Sequence, residues 1–185
     1  MRESAEHALA VYRQADCIHT WPEVEAAMDR MAKEVTEAVG GAVPVVLTVM
    51  TGAVIPVAEL LQRLDFVLEL DYVHATRYGD TTRGGELQWL ARPRTDLEGR
   101  TVLVVDDILD EGHTLAAIIE ECRRQGAEAV YSAVLVEKRH ERRHPGVEAD
   151  FVGLEVEDRY VFGCGMDYKG YLRNIPGIYA VKEEQ

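Results

Sequence analysis

Residues 101–115 read TVLVVDDILDEGHTL and join the end of an apolar segment to the start of a helical pattern. Five apolar or β-branched residues lead into the adjacent carboxylates Asp106 and Asp107, and Asp110 follows three positions later. Gly112 then precedes apolar residues at helical spacing. The stretch therefore predicts a buried strand that runs into a loop, which in turn opens an α-helix.

This acid-rich loop offers two kinds of ligand-binding group. Its carboxylates can hold hydroxyls or a metal-bound sugar, and the backbone N–H groups at a helix start favour a phosphate. A phosphorylated sugar would use both. The alternative is structural, because acids before a helix often form turns or caps. Three acids within five positions exceed what a cap needs, and neither a Walker loop nor a dinucleotide fingerprint is present.

Apolar strands and amphipathic helices alternate along much of the chain. Strands are predicted at residues 43–50, 66–74, 86–91, 100–106 and 129–137, and helices at residues 21–39, 53–64 and 114–125. Residues 75–85 are rich in glycine and predict a long mobile loop. The alternation predicts an α/β fold with a doubly wound, mainly parallel sheet flanked by helices. Ligands of such sheets bind beyond the carboxyl ends of strands, where Thr51-Gly52, the acid-rich loop and Lys138 are expected.

Composition limits the class of protein and its partners. A chain of 185 residues, 47% hydrophobic and 29% charged, fits one soluble globular domain. The net charge of −13 argues against non-specific binding to nucleic acid or to an anionic membrane. Three scattered cysteines, no apolar leader and no bilayer-spanning segment predict a cytoplasmic protein without disulfides.

The acid-rich loop resembles the ribose-phosphate binding motif of the type I phosphoribosyltransferases. Four C-terminal segments resemble the hypoxanthine-guanine phosphoribosyltransferases of that family: VEKR at 136–139, DFVGLE at 150–155, RYVFGCGMDY at 159–168 and LRNIP at 172–176. The similarity extends over residues 40–180. It implies one phosphoribosyltransferase domain over residues 1–185, with a core at 21–139 and a small hood formed by residues 1–20 and 140–185.

The resemblance gives the acids of the loop distinct roles. Asp106 and Asp107 would bind the ribose hydroxyls, directly or through Mg²⁺, although an Asx turn is the structural alternative. Asp110 would be the general base at purine N7. Glu111 stands where the family commonly has threonine, so we expect its backbone N–H to bind phosphate and its carboxylate to turn outward. The residues expected to bind the 5′-phosphate are Glu111, Gly112, His113 and Thr114, with His113 equally compatible with simple exposure.

The resemblance also assigns residues to the base and the diphosphate. Lys138 would donate to the purine 6-oxo group, Tyr160 would stack on the ring, and the Val161 backbone would contact the base edge. Asp167 would lie near the base edge, the diphosphate and the metal, and Arg173 would bind the diphosphate. The metal-ligand candidates are Asp106, Asp107 and Asp167. Strand packing remains the alternative for Tyr160 and Val161, and solvent exposure for Lys138 and Arg173.

Two segments depart from the family pattern. The first loop often reads Leu-Lys-Gly in the family, with a nonprolyl cis peptide before the lysine, and here it reads Met50-Thr51-Gly52. We expect Thr51 and Gly52 to keep the backbone donors for the diphosphate. The mobile loop usually carries Ser-Tyr and here reads Arg77-Tyr78. Tyr78 is a candidate to close over the site, and Arg77 a candidate to add positive charge.

The resemblance implies purine salvage by a Mg²⁺-dependent homodimer or homotetramer. The reaction would transfer a 5-phosphoribosyl group from 5-phosphoribosyl 1-diphosphate to N9 of hypoxanthine or guanine, giving IMP or GMP and diphosphate. One alternative is an enzyme that prefers xanthine. Another is a regulatory protein that senses the donor and binds nucleic acid, which the acidic charge and the set of Asp110, Lys138 and Asp167 disfavour.

Overall fold

The computed structural model describes residues 4–77 and 87–182, without the side chains of Arg77 and Leu87. The helices are α1 (Ala5–Gln14), α2 (Trp21–Val39), α3 (Val54–Leu61) and α4 (His113–Arg124). The strands are β1 (Asp16–His19), β2 (Val45–Val49), β3 (Glu69–Arg77), β4 (Leu87–Ala91), β5 (Thr101–Leu109), β6 (Ala129–Arg139), β7 (Phe151–Glu157), β8 (Val161–Phe162) and β9 (Ile178–Ala180). None of the described helices has both the length and the apolar character to cross a membrane.

Six strands form the main sheet in the order β4-β3-β2-β5-β6-β7. Only β4 is antiparallel to its neighbour, and the other four pairings are parallel. The predicted α/β fold with a mainly parallel sheet is therefore confirmed. The chain moves from β2 to β3 on one side and later places β5 on the other side. The carboxyl ends of β2 and β5 thus form the switch point where ligands of open α/β sheets bind.

Local sequence explains the elements that carry this sheet. All five residues of β2 are buried, as expected of a central parallel strand covered by helices on both faces. The backbone N–H of Thr20 donates a 2.7 Å hydrogen bond to Glu23, which closes a capping box at the start of α2. One apolar stripe of α2 is buried, and the helix packs against β6 and β7. The predicted helix at 21–39 is confirmed at both ends.

Three strands extend further than predicted, because each continues to pair with a neighbour. β5 runs to Leu109, opposite Glu137 of β6, so the strand includes Asp107 as well as Asp106, which was its predicted last residue. β6 runs to Arg139 and includes Lys138, which was predicted to follow the strand. β3 reaches residue 77 by pairing with antiparallel β4, so the predicted loop was wrong for 75–77. The rest of that loop, at 78–86, lies outside the described residues.

A second, three-stranded sheet in the order β1-β9-β8 lies beside the main sheet. Phe162 and Tyr168 pack there with Ala8 of α1 in a separate apolar cluster. The terminal segments thus meet in this smaller sheet, and the hood itself stays a prediction. The predicted boundary at residue 139 is displaced, however, because β7 pairs in parallel with β6 and belongs to the main sheet. Buried and exposed residues are interspersed along β7, as expected of a partly covered strand at the sheet edge.

Candidate active site

A cavity of about 460 Å³ opens at the carboxyl ends of β2 and β5. This volume is in the range of sites for small molecules. Its walls are the loop after β2, residues 106–115, Arg142 after β6, and Asp167 and Arg173 from the C-terminal segment. Parts of the chain more than 100 positions apart therefore converge on one site, at the edge of the sheet that the topology indicates.

The Asp106 and Asp107 carboxylates lie side by side at one wall, Asp106 buried and Asp107 partly buried. Asp106 is 8% exposed, and each carboxylate accepts a hydrogen bond from the next backbone N–H, at 2.9 Å from Asp107 and 2.8 Å from Ile108. Burial, and then the neighbouring charge of Asp107, raises the pKa of Asp106 well above its usual value. Burial also raises the pKa of Asp107, against the opposing charge of Arg173. Two such carboxylates are suited to hydroxyl donors or a cation.

Arg173 connects the C-terminal segment to this acidic wall. Its guanidinium lies 2.6 Å from Asp167 and 3.9 Å from Asp107, and Nη1 donates a 2.5 Å hydrogen bond to the Gly165 carbonyl. The Asp167 carboxylate also accepts a 2.6 Å hydrogen bond from the Gly170 backbone. Both carboxylates are therefore held in place, and a positive charge stands at the cavity wall between them.

The loop after β2 packs closely against the same wall. The peptide bond between Met50 and Thr51 is cis, as it often is in the family this sequence resembles. A Cβ atom at Gly52 would overlap with the carboxylate of Asp107, and one at Gly165 would overlap with the Gly52 carbonyl. Glycine is thus required at position 52 by a close approach between the β2 loop and β5.

The start of α4 lines the same cavity. Gly112 adopts φ +84° and precedes the first residue of the helix, with no side-chain cap. The first backbone N–H groups of a helix have no partner within it, and residues 111–115 line the cavity. Positive φ at this position explains the glycine that the sequence places there. This end of α4 can receive an anion.

The Glu111 side chain, predicted to turn outward, is 45% exposed and lies next to the His113 ring and the cationic Arg142. Its two carboxylate oxygens are 3.5 Å from His113 Nε2 and 3.9 Å from Arg142 Nε. The His113 ring also packs edge-on against His144, with 4.9 Å between ring centroids. The acid therefore has positive charge beside it, which lessens its repulsion of an anion at the α4 N-terminus.

Asp110 lies at the mouth of the cavity and accepts hydrogen bonds on both oxygens. Lys138 Nζ is 2.7 Å from Oδ2, and His140 Nε2 is 2.6 Å from Oδ1. Burial by itself would raise the pKa of Asp110, but Lys138 and then His140 hold that pKa below its usual value. Asp110 is therefore an ionised carboxylate, 40% exposed, with a fixed orientation.

Three residues near Asp110 were not predicted from the sequence: His140, Arg142 and Asp158. Together with Asp110 and Lys138 they form a charged cluster. Arg142 forms a bidentate pair with Asp158 at 2.6 and 3.0 Å, and both lie near Asp110 and His140. One ligand atom each of Asp110, His140 and Asp158 lies within 4.8 Å of the others, whereas the predicted metal ligands were Asp106, Asp107 and Asp167. Lys138 and Arg142 already neutralise the carboxylates of this cluster. The sequence signal that could have identified these residues is their position directly after strands β6 and β7, where ligands of parallel sheets bind.

The remaining predicted residues lie at different distances from the cavity. Thr51, Gly52, Asp106, Asp107, Asp110, Glu111, Gly112, His113, Thr114, Asp167 and Arg173 line it. Lys138 does not line the cavity but is hydrogen-bonded to Asp110, which does. Tyr160 and Val161 also lie outside the lining. Tyr160 is 51% exposed and packs edge-on against Tyr168, and Val161 is buried in β8. The Arg77 side chain and Tyr78 lie outside the described residues.

The fold and the cavity are those of an α/β protein that binds its ligand between two strand ends. Residues 14–169 match the family model described as phosphoribosyl transferase domain. The chain is 33% identical over 161 residues to the hypoxanthine-guanine phosphoribosyltransferase of Bacillus subtilis (strain 168), covering 86% of this chain and 89% of the relative. The chain therefore belongs to the phosphoribosyltransferase family.

Other relatives agree in sequence and in structure. A hypoxanthine-guanine-xanthine phosphoribosyltransferase of Tritrichomonas foetus is 33% identical over 166 residues, or 90% of this chain and 91% of the relative. A solved hypoxanthine-guanine-xanthine phosphoribosyltransferase superposes with a TM-score of 0.83 at 31% identity, covering 91% and 97% of the two chains. A hypoxanthine-guanine phosphoribosyltransferase from Bacillus anthracis, with a HEPES molecule in its active site, gives 0.85 at 26% identity, covering 90% and 98%.

Proposed function

We propose that the chain transfers a 5-phosphoribosyl group from 5-phosphoribosyl 1-diphosphate to N9 of hypoxanthine or guanine, in a purine salvage reaction. The observation that carries the proposal is that one cavity is lined both by the Asp106–Asp107 pair and by the N-terminus of α4. A sugar phosphate needs hydroxyl acceptors and anion donors, and this cavity has both. The names of the relatives support a 6-oxopurine as the acceptor.

In this proposal the donor lies across the cavity. Asp106 and Asp107 accept hydrogen bonds from the ribose hydroxyls, and the backbone N–H groups of residues 111–114 bind the 5′-phosphate. The backbone of Thr51-Gly52 and the guanidinium of Arg173 bind the diphosphate, which leaves from the sugar C1 atom. An oxocarbenium-like transition state would be stabilised by the nearby carboxylates.

Mg²⁺ fits the carboxylates on the diphosphate side of the cavity. Asp106, Asp107 and Asp167 offer oxygen ligands, which Mg²⁺ prefers. Asp106 has no salt bridge to a residue within 4–77 or 87–182, and its raised pKa shows that burial leaves its charge poorly compensated. These three residues would hold the ion, directly or through donor hydroxyls. When bound, Mg²⁺ offsets the charge of the diphosphate and helps it leave.

The base lies beyond the donor in this arrangement. Asp110 accepts or shares the proton of purine N7 while N9 attacks, so that the ring does not keep a positive charge. Lys138 donates to the 6-oxo oxygen, because an ammonium group has donors and no acceptor. Tyr160, which is 51% exposed and packs edge-on against Tyr168, stacks on the ring, and the Val161 backbone and a carbonyl near Asp167 contact the base edge.

Activity assays with the donor, Mg²⁺ and each of four bases test the proposal. We expect turnover of hypoxanthine and guanine, weak or variable turnover of xanthine, and essentially none of adenine. A mismatched buried polar group is costly, so the 6-amino group of adenine facing Lys138 should be strongly rejected. Adenine turnover comparable to that of hypoxanthine would contradict the role of Lys138.

The same assay separates the alternatives. Xanthine as the best substrate would favour a xanthine-preferring enzyme. Donor binding in calorimetry without turnover of any purine would favour a donor-sensing regulatory protein. We further propose a cytoplasmic location and a homodimer or homotetramer, and sedimentation analysis of the purified chain tests the assembly.

A further inference from the structure

His140 lies directly after β6, and its side chain is almost completely buried against Asp110. Both ring nitrogens are engaged. Nε2 is 2.6 Å from Asp110 Oδ1, and the backbone N–H of Arg142 donates a 3.0 Å hydrogen bond to Nδ1. The ring is therefore bound at its two ends by different partners.

These two contacts determine where the imidazole proton is. A backbone N–H can only donate, so Nδ1 must present its lone pair to Arg142. A neutral ring with an unprotonated Nδ1 carries its proton on Nε2. Nε2–H then donates to Asp110 Oδ1, and protonation of Nδ1 would break the contact with the backbone. The fold thus selects one neutral tautomer of His140.

The two donors to Asp110 differ in their freedom. Lys138 has a long flexible side chain, and in the proposed function it also donates to the 6-oxo group of the purine. His140 has a rigid ring fixed at both nitrogens, so it keeps its bond to Oδ1 when Lys138 divides its donors between two acceptors. The carboxylate plane of Asp110 is then set by His140.

We infer that His140 is a positioning residue, a neutral imidazole whose Nε2–H orients the Asp110 carboxylate for proton transfer at purine N7. This inference rests on the proposed function for the identity of the base. The charged groups that face the pair are Lys138 on β6, Arg142 in the loop after β6, and Asp158 after β7. Arg142 and Asp158 form an ion pair with each other, so their charges are mutually compensated. Lys138 and His140 are the two groups that donate hydrogen bonds to Asp110.

Two substitutions at this position separate hydrogen bonding from packing. His140→Gln keeps an amide N–H near Nε2 and a carbonyl that can accept from the Arg142 backbone. His140→Leu fills similar space without either group. Removing a hydrogen bond to a charged acceptor should lower kcat about 10- to 100-fold in the Leu variant, and the KM for the donor should stay unchanged. The Gln variant should recover most of the loss.

The dependence of kcat on pH distinguishes hydrogen bonding from packing, because a residue that only fills space would not change the pKa of Asp110. A hydrogen bond to the ionised carboxylate lowers its pKa, so losing that bond raises it. The acidic limb of kcat should move to higher pH in His140→Leu and stay in place in His140→Gln. His19→Leu is a matched control, because the His19 ring binds a backbone carbonyl of Glu155 away from the cavity. An unmoved limb in the folded Leu variant would overturn the inference.

Nuclear magnetic resonance tests the arrangement independently of activity. ¹⁵N shifts of the wild-type ring, assigned by comparison with His140→Gln, should show the neutral Nε2–H tautomer at pH 7. The Asp110 carboxyl carbon should titrate at higher pH in His140→Leu. An Nδ1–H tautomer or an imidazolium ring would overturn the inference even if the enzyme is active. If no purine is turned over, the proposed function fails, and these titrations still decide the His140–Asp110 contact.

Discussion

Lys138 Nζ lies 2.7 Å from Asp110 Oδ2, across 28 positions of the chain. The proposed donor to the purine 6-oxo group and the proposed acceptor of the N7 proton are thus hydrogen-bonded to each other. Parallel pairing of β5 with β6, which ends with Leu109 opposite Glu137, brings the two residues together at adjacent strand ends. The ammonium keeps the carboxylate ionised, as a general base must be.

Replacing the proposed general base should affect chemistry more than binding. We expect Asp110→Asn to lower kcat about 10²- to 10⁴-fold, the usual contribution of a general base. Donor affinity should be largely kept, because the contacts proposed for the phosphate and the ribose lie on other residues. Steady-state kinetics and donor titration measure the two quantities. Asp158→Asn is a nearby control that should cost much less, and near-normal turnover of a folded Asp110→Asn protein would rule out the assignment.

Position 52, in the loop after β2, should tolerate no residue larger than glycine. In Gly52→Ala the new methyl group would overlap with the Asp107 carboxylate, so the loop or the carboxylate must shift. A misplacement of about 1 Å can cost about 10²-fold in rate, and we expect a loss of that order in kcat/KM for the donor.

Gly41→Ala is the matched control, because nothing lies within 4 Å of a Cβ atom at that position. It should leave kcat/KM and the melting temperature unchanged. Wild-type kinetics in Gly52→Ala would show that the close contact with Asp107 has no part in donor binding.

Glu111 should be dispensable for donor binding. Its carboxylate lies beside His113 and Arg142, and a helix N-terminus binds phosphate mainly through backbone N–H groups. We expect Glu111→Thr to keep activity and to leave the donor Kd unchanged or lower it modestly, since one negative charge leaves the phosphate site. Calorimetric titration with the donor measures this.

Arg142 provides the comparison for Glu111. Arg142→Gln should weaken the donor several-fold in the wild-type background, because Glu111 then loses a compensating charge. In the Glu111→Thr background, Arg142→Gln should raise the donor Kd by a smaller factor. A steep loss of donor affinity in Glu111→Thr alone would instead give the carboxylate a positive role.

Glu121 should make stability depend on pH in the acidic range. It is 10% exposed, and hydrogen bonds from Arg124, Gln125 and Arg92 lower its pKa from 4.5 to about 2. Because the pKa of Glu121 is lower in the folded protein, its ionised carboxylate stabilises the fold fully above pH 4.5. This stabilisation is lost as pH falls toward about 2. Because both arginines are at least half exposed, we expect Glu121→Gln to cost about 1–2 kcal/mol of unfolding free energy at pH 7.

Urea denaturation across pH checks this expectation. The difference between wild type and Glu121→Gln should shrink as pH falls from 4.5 toward about 2. The exposed neighbour Glu120 provides a matched substitution in the same helix, and Glu120→Gln should change the free energy by less than about 0.5 kcal/mol at every pH. A pH-independent cost at Glu121 would point to packing and not to charge.

Elements whose signals are local were predictable from the sequence. The 3.6-residue spacing of apolar side chains, with Pro22 in the first turn and Gly40-Gly41 after the last, defined α2 at both ends. The apolar runs placed β2 and most of β5, and the acids with Gly112 marked the loop that opens α4. The resemblance of the C-terminal segments added Lys138, Asp167 and Arg173. These features depend on neighbours in the chain, which sequence patterns report.

The ends of the strands and the pairing of distant charges depend on tertiary contacts. β5 and β6 continue beyond their apolar runs because each supplies backbone partners to the other, and β7 joins the main sheet by the same pairing. His140 acquires its tautomer from a backbone N–H and a carboxylate 30 positions away. Hydrogen bonds and ion pairs between distant segments leave no periodicity in the sequence, since they depend on how the strands are ordered in the sheet.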